Sequence, residues 1–478
     1  MKVNSIIIVG GGTAGCISAL ILNRRFPQCS INIIESEKIG IVGVGEGSTE
    51  QWKDFIKYCG FTDEEIIREC GATFKMGILY DKWDDKPFMH SILLDRYPGE
   101  NYYYSYAHLI SNNVSKKELQ PNWVWDSNVP LQYYIPSRQY HFDTFKLNSF
   151  LHKKCIERGI NFFVDDIGNV TLDDQGNIES LVGKSGYYKS DFYVDCSGFK
   201  RLLVQNTLGI KWKSYNEYLP LNSAIAFQTP ESEKYNMWTK ATAHNAGWGW
   251  TIPVQGKTGN GYVYSDNFIS QSEAHKEMER YTRRRIKNVK HFKFDAGRLE
   301  NFWYKNCVAI GLSSNFVEPL EATSIGTSIQ QAYLLTQMLP SYDYQKYNSL
   351  MVDIFDGIID FIVAHYLVRR EDTPFWKEVK YNLKIPDSLK NLLSMWKNRL
   401  PQGSDLTNPY KVISAINYIP ILYGLNWFDI KAISKEYEMY PRHDLVDIDL
   451  MEKKCYDKNS PKIEHKKLIQ GICETHVT

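Results

Sequence analysis

The spacing of apolar positions changes period several times along the chain, and each change marks an element. Ile6-Ile7-Ile8-Val9 is an unbroken β-branched run, the pattern of a strand buried on both faces in a parallel sheet. It feeds Gly10-Gly11-Gly12-Thr13-Ala14-Gly15, a helix through Ala19-Leu20-Ile21-Leu22 follows, and residues 30–34 form a second strand ending at Glu35. Two later apolar strands also end in turns, one at Val194-Asp195-Cys196-Ser197-Gly198-Phe199 and one at Cys307-Val308-Ala309-Ile310-Gly311. Trp248-Gly249-Trp250-Thr251-Ile252-Pro253 places two indole rings on one face of a strand, because strand side chains alternate in direction. Residues 256–261, Gly-Lys-Thr-Gly-Asn-Gly, precede the strand Tyr262-Val263-Tyr264 and read as a hairpin turn. After Ala322-Thr323-Ser324-Ile325-Gly326 the pattern is helical through Gln331-Ala332-Tyr333-Leu334-Leu335. From about Ser341 it stays mainly helical, with Ile354, Ile358, Ile359, Phe361 and Ile362 as an apolar stripe.

Composition narrows the class. At 478 residues, 43% hydrophobic and 14% aromatic, the chain is long enough for one large or two to three ordinary domains with a substantial core. Its 56 Lys plus Arg balance 55 Asp plus Glu, so no field of one sign gathers nucleic acid or anionic lipid. No apolar run approaches the roughly 20 residues of a spanning helix, and a soluble, cytoplasmic protein without a membrane partner is expected. The nine cysteines include no Cys-x-x-Cys pair, which points to reduced thiols and no metal site.

Strand, glycine turn, helix, strand and acid occur in the order of a dinucleotide-binding unit, with Glu35 twenty residues after Gly15. Backbone N–H groups around Gly10, Gly12, Thr13, Ala14 and Gly15 would approach a pyrophosphate at the positive end of a helix, and Glu35 would accept hydrogen bonds from a ribose. A tight turn that mimics the motif is the alternative. Asp195 and Gly198 resemble the second FAD contact of glutathione-reductase-like flavoproteins, which favours FAD over NAD. No second glycine fingerprint opens a helix, so no nicotinamide site is expected. Such a flavoenzyme either receives reduced flavin from another protein or uses flavin without net redox change.

Several segments together carry a family resemblance: Gly43-Val44-Gly45-Glu46-Gly47-Ser48, Ala72-Thr73-Phe74-Lys75, Tyr140-His141-Phe142-Asp143, residues 195–199, 248–253 and 316–325, and Asp372-Thr373-Pro374-Phe375-Trp376. In these the chain resembles the flavin-dependent halogenases of the tryptophan-halogenase type, over nearly its whole length. The resemblance implies an α/β, glutathione-reductase-like FAD-binding fold with an inserted antiparallel substrate sheet and a helical C-terminal part. The expected organisation is a discontinuous FAD domain over residues 1–340, with insertions near 75–140 and 210–295, and a helical substrate-side region over 341–478. Gly45 and Glu46 join the cofactor-binding set.

It further implies a two-component enzyme. Reduced FAD comes from a separate reductase without a stable complex, and with oxygen and a halide it yields hypohalous acid that halogenates a small aromatic. By position in its motif Lys75 matches the family's active-site lysine, which hydrogen-bonds the hypohalous acid or becomes a haloamine. Glu321 matches the glutamate that polarises the halogen donor and takes the arene proton. Thr323 and Ser324 match the segment whose N–H groups bind halide, Ser324 standing where tryptophan halogenases usually carry glycine. Trp248, Trp250 and Pro253 match gatekeeping positions beside the flavin.

Blander readings stand beside these: an exposed strand lysine at position 75, a carboxylate serving a helix N-terminus at 321, and plain packing for the tryptophans. As rivals, an aromatic hydroxylase is disfavoured by the Trp-x-Trp element and by Glu318-Pro319-Leu320-Glu321 in place of Gly-Asp; a flavin-binding protein without oxidative turnover is the more distant one. Residues 101–108, rich in tyrosine, and Trp123-Val124-Trp125 are expected in the substrate-facing sheet, where they could stack an arene. The chain is shorter than typical tryptophan halogenases, so an aromatic other than tryptophan, an indole or phenol, is expected. His365, Arg369 and Arg370 read as a helix end with satisfied charges, and the lysine-rich tail after Pro441 as a solvated face.

Overall fold

The computed structural model of the chain describes residues 3–38, 40, 46–91, 102–117, 119, 122–130, 139–439 and 461–475. The chain divides into two compact units. The first comprises Met1–Gly71, Phe142–Asn216 and Asp295–Asp356, and the second Ala72–His141, Glu217–Phe294 and Gly357–Thr478. The last division falls inside the helix Tyr344–His365, against an expected boundary near residue 340.

The first unit is built on a six-stranded sheet in the order Trp303–Tyr304, Cys307–Ala309, Phe192–Asp195, Ser5–Val9, Ser30–Glu35, Asn161–Val164. Its pairings are parallel apart from the first. Ile6, Ile7, Ile8 and Val9 are all buried, which is why that strand shows no polar alternation. The helices Thr13–Arg25, Thr144–Glu157 and Thr323–Met338 belong to the same unit. Asp143 caps the second of them, its Oδ1 accepting from the N–H of Phe145 at 3.0 Å.

The second unit centres on a seven-stranded sheet in the order Lys290–Lys293, Ser223–Pro230, Lys257–Tyr264, Gly247–Val254, Thr239–His244, Gly77–Asp81, Phe88–Ser91. All pairs are antiparallel except Thr239–His244 with Gly77–Asp81. Gly247–Val254 and Lys257–Tyr264 form a hairpin across Gln255 and Gly256, where Gly256 takes φ +81° as a tight turn needs. Ile358, Ile359, Phe361 and Ile362 are buried in the C-terminal half of Tyr344–His365. Further helices are Pro374–Asn382, Asp387–Trp396, Ala415–Gly424, Ile430–Glu438 and His465–Glu474. Among the described residues no helix is long and apolar enough to cross a membrane.

The tyrosine-rich segment differs from expectation: Tyr102–Ser111 and Asn122–Asp126 are helices, not strands. Tyr103, Tyr106, Ala107 and Ile110 are buried, a spacing of three, four and seven that makes one helical stripe. The β preference of tyrosine is weak beside that periodicity. Asn101 lies outside the described residues. Arg369 pairs with Asp84 at 3.1 Å, and Arg370 pairs with Asp372 at 2.7 Å and covers the Trp376 ring at 4.6 Å, so these cations are satisfied by their neighbours.

Candidate active site

In the first unit the glycine turn opens onto a cavity of about 690 Å³. Gly10, Gly12, Thr13, Ala14, Glu35, Glu46, Gly198 and Ser324 all line it. The reasons for glycine differ along the turn. A Cβ on Gly10 would come within 2.2 Å of the Cys196 carbonyl oxygen, and Gly10 has φ +118°. A Cβ on Gly11 would meet the Glu35 carboxylate at 1.9 Å, and one on Gly15 the Gly10 carbonyl oxygen at 1.9 Å. Gly12 has nothing within 4 Å, so its openness belongs to the cavity. The helix Thr13–Arg25 carries no acid in its first turn and no side-chain cap at Gly12, leaving its positive end open to an anion.

Glu35 takes a contact from His152 Nε2 at 3.2 Å, and Asn148, another cavity residue, donates to the Gly11 carbonyl at 3.0 Å. Glu46 is partly exposed where it lines the cavity, yet the protein around it buries the carboxyl enough to push its pKa up to about 7. Asp195 stands behind the wall. Its carboxylate accepts from the Ser197 hydroxyl at 2.6 Å and from the N–H groups of Ser197, Leu203 and Val204 at 3.0, 2.7 and 3.0 Å. It shapes the loop that carries Gly198 and does not itself line the cavity. Gly45 lies outside the described residues.

Glu321 ends the 3-10 turn Pro319–Glu321 and is buried. Ala322 then takes φ +54°, a left-handed conformation uncommon outside glycine, and Thr323 and Ser324 begin the helix Thr323–Met338. Thr323 is buried, whereas Ser324 is exposed to the cavity, and its carbonyl takes the hydroxyls of Thr327 and Ser328 at 3.0 and 2.9 Å. Gln331, on the same helix and fully buried, accepts the Gly311 N–H at 3.0 Å. It thereby holds the Gly311-Leu312 turn that also lines the cavity.

The second unit holds Lys75 on the strand Thr73–Lys75, paired antiparallel with residues 139–141. Lys75 is only 2% exposed, so it is not a surface strand lysine. Two residues earlier, the Thr73 hydroxyl donates to the Pro253 carbonyl at 2.7 Å, which ties the lysine strand to the end of the Trp-x-Trp-x-Ile-Pro strand. Gln255 adds a bond to the Ala72 carbonyl at 2.8 Å. His141 lies between Thr73 Oγ1 at 3.4 Å and Thr239 Oγ1 at 2.9 Å. Burial, with the charges of Lys75 and His465 adding to it, holds His141 well below the ordinary imidazole value. Trp248 is buried and Trp250 partly exposed, their rings 6.2 Å apart at 55°. Gly249 between them is required by packing, because a Cβ there would sit 2.8 Å from His244 Nε2.

Thus Lys75, Trp248, Trp250 and Pro253 share one unit, while the cavity at the glycine turn, Glu321, Thr323 and Ser324 share the other. The family model described as tryptophan halogenase matches residues 5–432. The chain belongs to the tryptophan halogenase family. As a member it is a flavin-dependent halogenase, and its first unit has the FAD-binding architecture of that family. The tryptophan 6-halogenase SttH of Streptomyces toxytricini is 32% identical over 88% of this chain and 89% of its own. The 7-chloro-L-tryptophan 6-halogenase KtzR of Kutzneria sp. (strain 744) is 32% identical over 87% and 90%. The crystal structure of the Streptomyces toxytricini enzyme superposes with a TM-score of 0.87 at 29% identity, over 98% of this halogenase and 100% of that chain.

Sequence reasoning missed Asn148, Gln331, His141 as a bridging group, and His465. Only His141 carries a signal, through its place in the Tyr140-His141-Phe142-Asp143 segment; the others act on residues distant in the chain. The solvated-face expectation for the tail fails at His465 and Ile469, both buried.

Proposed function

We propose that this halogenase is the halogenating member of a two-component system, taking reduced FAD from a separate reductase without a lasting complex and transferring halogen to a free small aromatic. The observation that carries the reading is a buried lysine joined through Thr73 and Pro253 to the Trp-x-Trp strand, in a chain that also carries an open dinucleotide cradle. FAD fits that cradle: the turn excludes side chains at three glycines, Glu35 faces the cavity, and a helix N-terminus without acids looks onto it.

Reduced FAD, when bound, supplies the two electrons by which oxygen and halide become hypohalous acid and water. Lys75 holds that oxidant, as a hydrogen-bonding ammonium or, if desolvated and neutral, as the amine that is halogenated. Glu321 polarises the halogen and accepts the proton that the arene loses on substitution. N–H groups of Thr323 and Ser324 at the helix start take the halide, chemistry that suits an anion without selecting chloride over bromide. Trp248 and Trp250 restrict the approach to the flavin, which disfavours direct hydroxylation.

The expectation of an arene other than tryptophan rests on chain length, and that argument does not hold, because the chain spans 89% of the Streptomyces toxytricini protein. The proposed substrate is an indole before a phenol, with free tryptophan the first to try. The test is Lys75→Ala, with flavin reductase, FAD, NADH and bromide. The expected result is loss of brominated product while reduced flavin is still oxidised by oxygen; unchanged product formation overturns the assignment.

A further inference from the structure

The helix His465–Glu474 lies in the lysine-rich tail, yet its first residue is completely buried. The His465 imidazole bridges two main-chain groups of opposite polarity. The Phe74 N–H donates to Nε2 at 3.0 Å, and Nδ1 lies 3.0 Å from the Tyr235 carbonyl. Nδ1 must therefore carry the proton, and Nε2 is left as an acceptor. The ring also stacks on Phe74, with centroids 5.8 Å apart at 24°.

The start of this helix is itself fixed. The His465 N–H donates to the Ser127 carbonyl at 3.0 Å, Lys462–Glu464 pairs with Asn128–Pro130, and Lys466 reaches Glu231 at 3.3 Å. The lysine strand is only three residues long, and on one side it pairs with residues 139–141. For the Phe74 N–H the imidazole takes the place that a second strand would fill. Phe74 and Lys75 point to opposite faces, so a twist of the strand that freed Phe74 from the ring would also swing Lys75.

We propose that His465 is a positioning residue for halogenation, fixing the Phe74–Lys75 main chain so that the Lys75 amine keeps the direction in which it holds the oxidant. The inference rests on the role proposed above for Lys75. It assigns to the C-terminal helix the task of aiming a side chain 390 positions earlier in the chain.

The test compares His465→Phe, His465→Gln, His465→Asn and Lys75→Ala in the full chain with FAD, reductase, bromide and tryptophan. Phenylalanine keeps the stack and removes the acceptor; glutamine can place an oxygen near Nε2; asparagine can reach only the Nδ1 position. His465→Phe is expected to lower kcat for brominated product on the order of 10- to 100-fold, with KM for the arene and the rate of flavin oxidation unchanged and more free oxidant trapped by a bulk scavenger. His465→Gln should recover most of kcat and His465→Asn should not; should the phenylalanine variant fail to fold, this pair decides alone. Folded variants with full kcat overturn the proposal, as does a fall in flavin oxidation and bromination together that glutamine does not restore. If Lys75→Ala still brominates, the reading of Lys75 is what fails; if it is inactive while the His465 variants are normal, only the positioning role fails.

Discussion

Two glycines of the first turn make opposite predictions, although both belong to one motif. Gly12 has φ −72° and ψ −179°, a conformation open to any residue, and a methyl group added there would meet no atom within 4 Å. Gly12→Ala should therefore leave the melting temperature of cofactor-free protein unchanged while placing a methyl group in the cavity that the proposed reading gives to FAD. At Gly15 the added carbon would lie 1.9 Å from the Gly10 carbonyl oxygen, against the 3.0 Å that real contacts respect. About 1 Å of backbone movement is then required in a packed turn, and overpacking of this kind costs about 1–3 kcal/mol. Gly15→Ala should thus lower the cofactor-free melting temperature by several degrees as well as weaken FAD. If Gly12→Ala costs a similar 1–3 kcal/mol in binding alone, its FAD dissociation constant rises roughly 5- to 150-fold. Flavin fluorescence titration and differential scanning of the two variants read both quantities. A Gly12→Ala protein that binds FAD as tightly as wild type would refute the cradle, and equal destabilisation by the two substitutions would refute the division of labour between them.

Further outcomes follow from buried titratable groups and from packing. Glu46, pushed up to about 7 by burial, stays protonated in the folded chain after it ionises in the unfolded one, so its contribution to stability falls as pH rises from about 4.5 through 7; Glu46→Gln should gain about 1–3 kcal/mol over wild type at pH 8 and little at pH 4.5, by urea unfolding of cofactor-free protein, and an equal gain at both pH values would count against it. His244 and His465 are held down to about 3 and about 4 by burial, so the unfolded chain takes up their protons first. Stability should fall as pH drops below the usual imidazole value of about 6.5, and His465→Gln should show a shallower acid slope than wild type. Gly249→Ala should cost about 1–3 kcal/mol by overpacking against His244, and the loss should shrink in the His244→Ala background; strictly additive losses would argue against that contact.

What the sequence reveals depends on the range of the interaction. Gly10 to Gly15 and Glu35 are legible because strand, turn, helix and strand are local; all but Gly15 line the cavity, and Gly15 packs against the carbonyl of Gly10, which does. The Trp248–Trp250 strand is legible from period two. The tyrosine-rich segment is a helix, legible in the spacing of Tyr103, Tyr106 and Ile110, a signal that outweighs its place between the flavin motifs where a sheet is expected. Asp195, expected as a direct FAD contact, gives its hydrogen bonds to its own turn and does not line the cavity, a distinction that residue type and motif position do not carry. His465 is illegible: its partner Phe74 is 391 residues away, and a lone histidine among lysines carries no pattern. The same holds for Asn148, whose bond to Gly11 spans 137 residues.

The central claim is that halogen, not oxygen, reaches the arene. The most direct measurement is the mass spectrum of products formed from tryptophan with FAD, NADH, a flavin reductase and bromide, compared with the same mixture without halide. The account predicts a product with the paired isotope pattern of one bromine that vanishes when bromide is withheld. A hydroxylated product that forms equally with and without halide would contradict it.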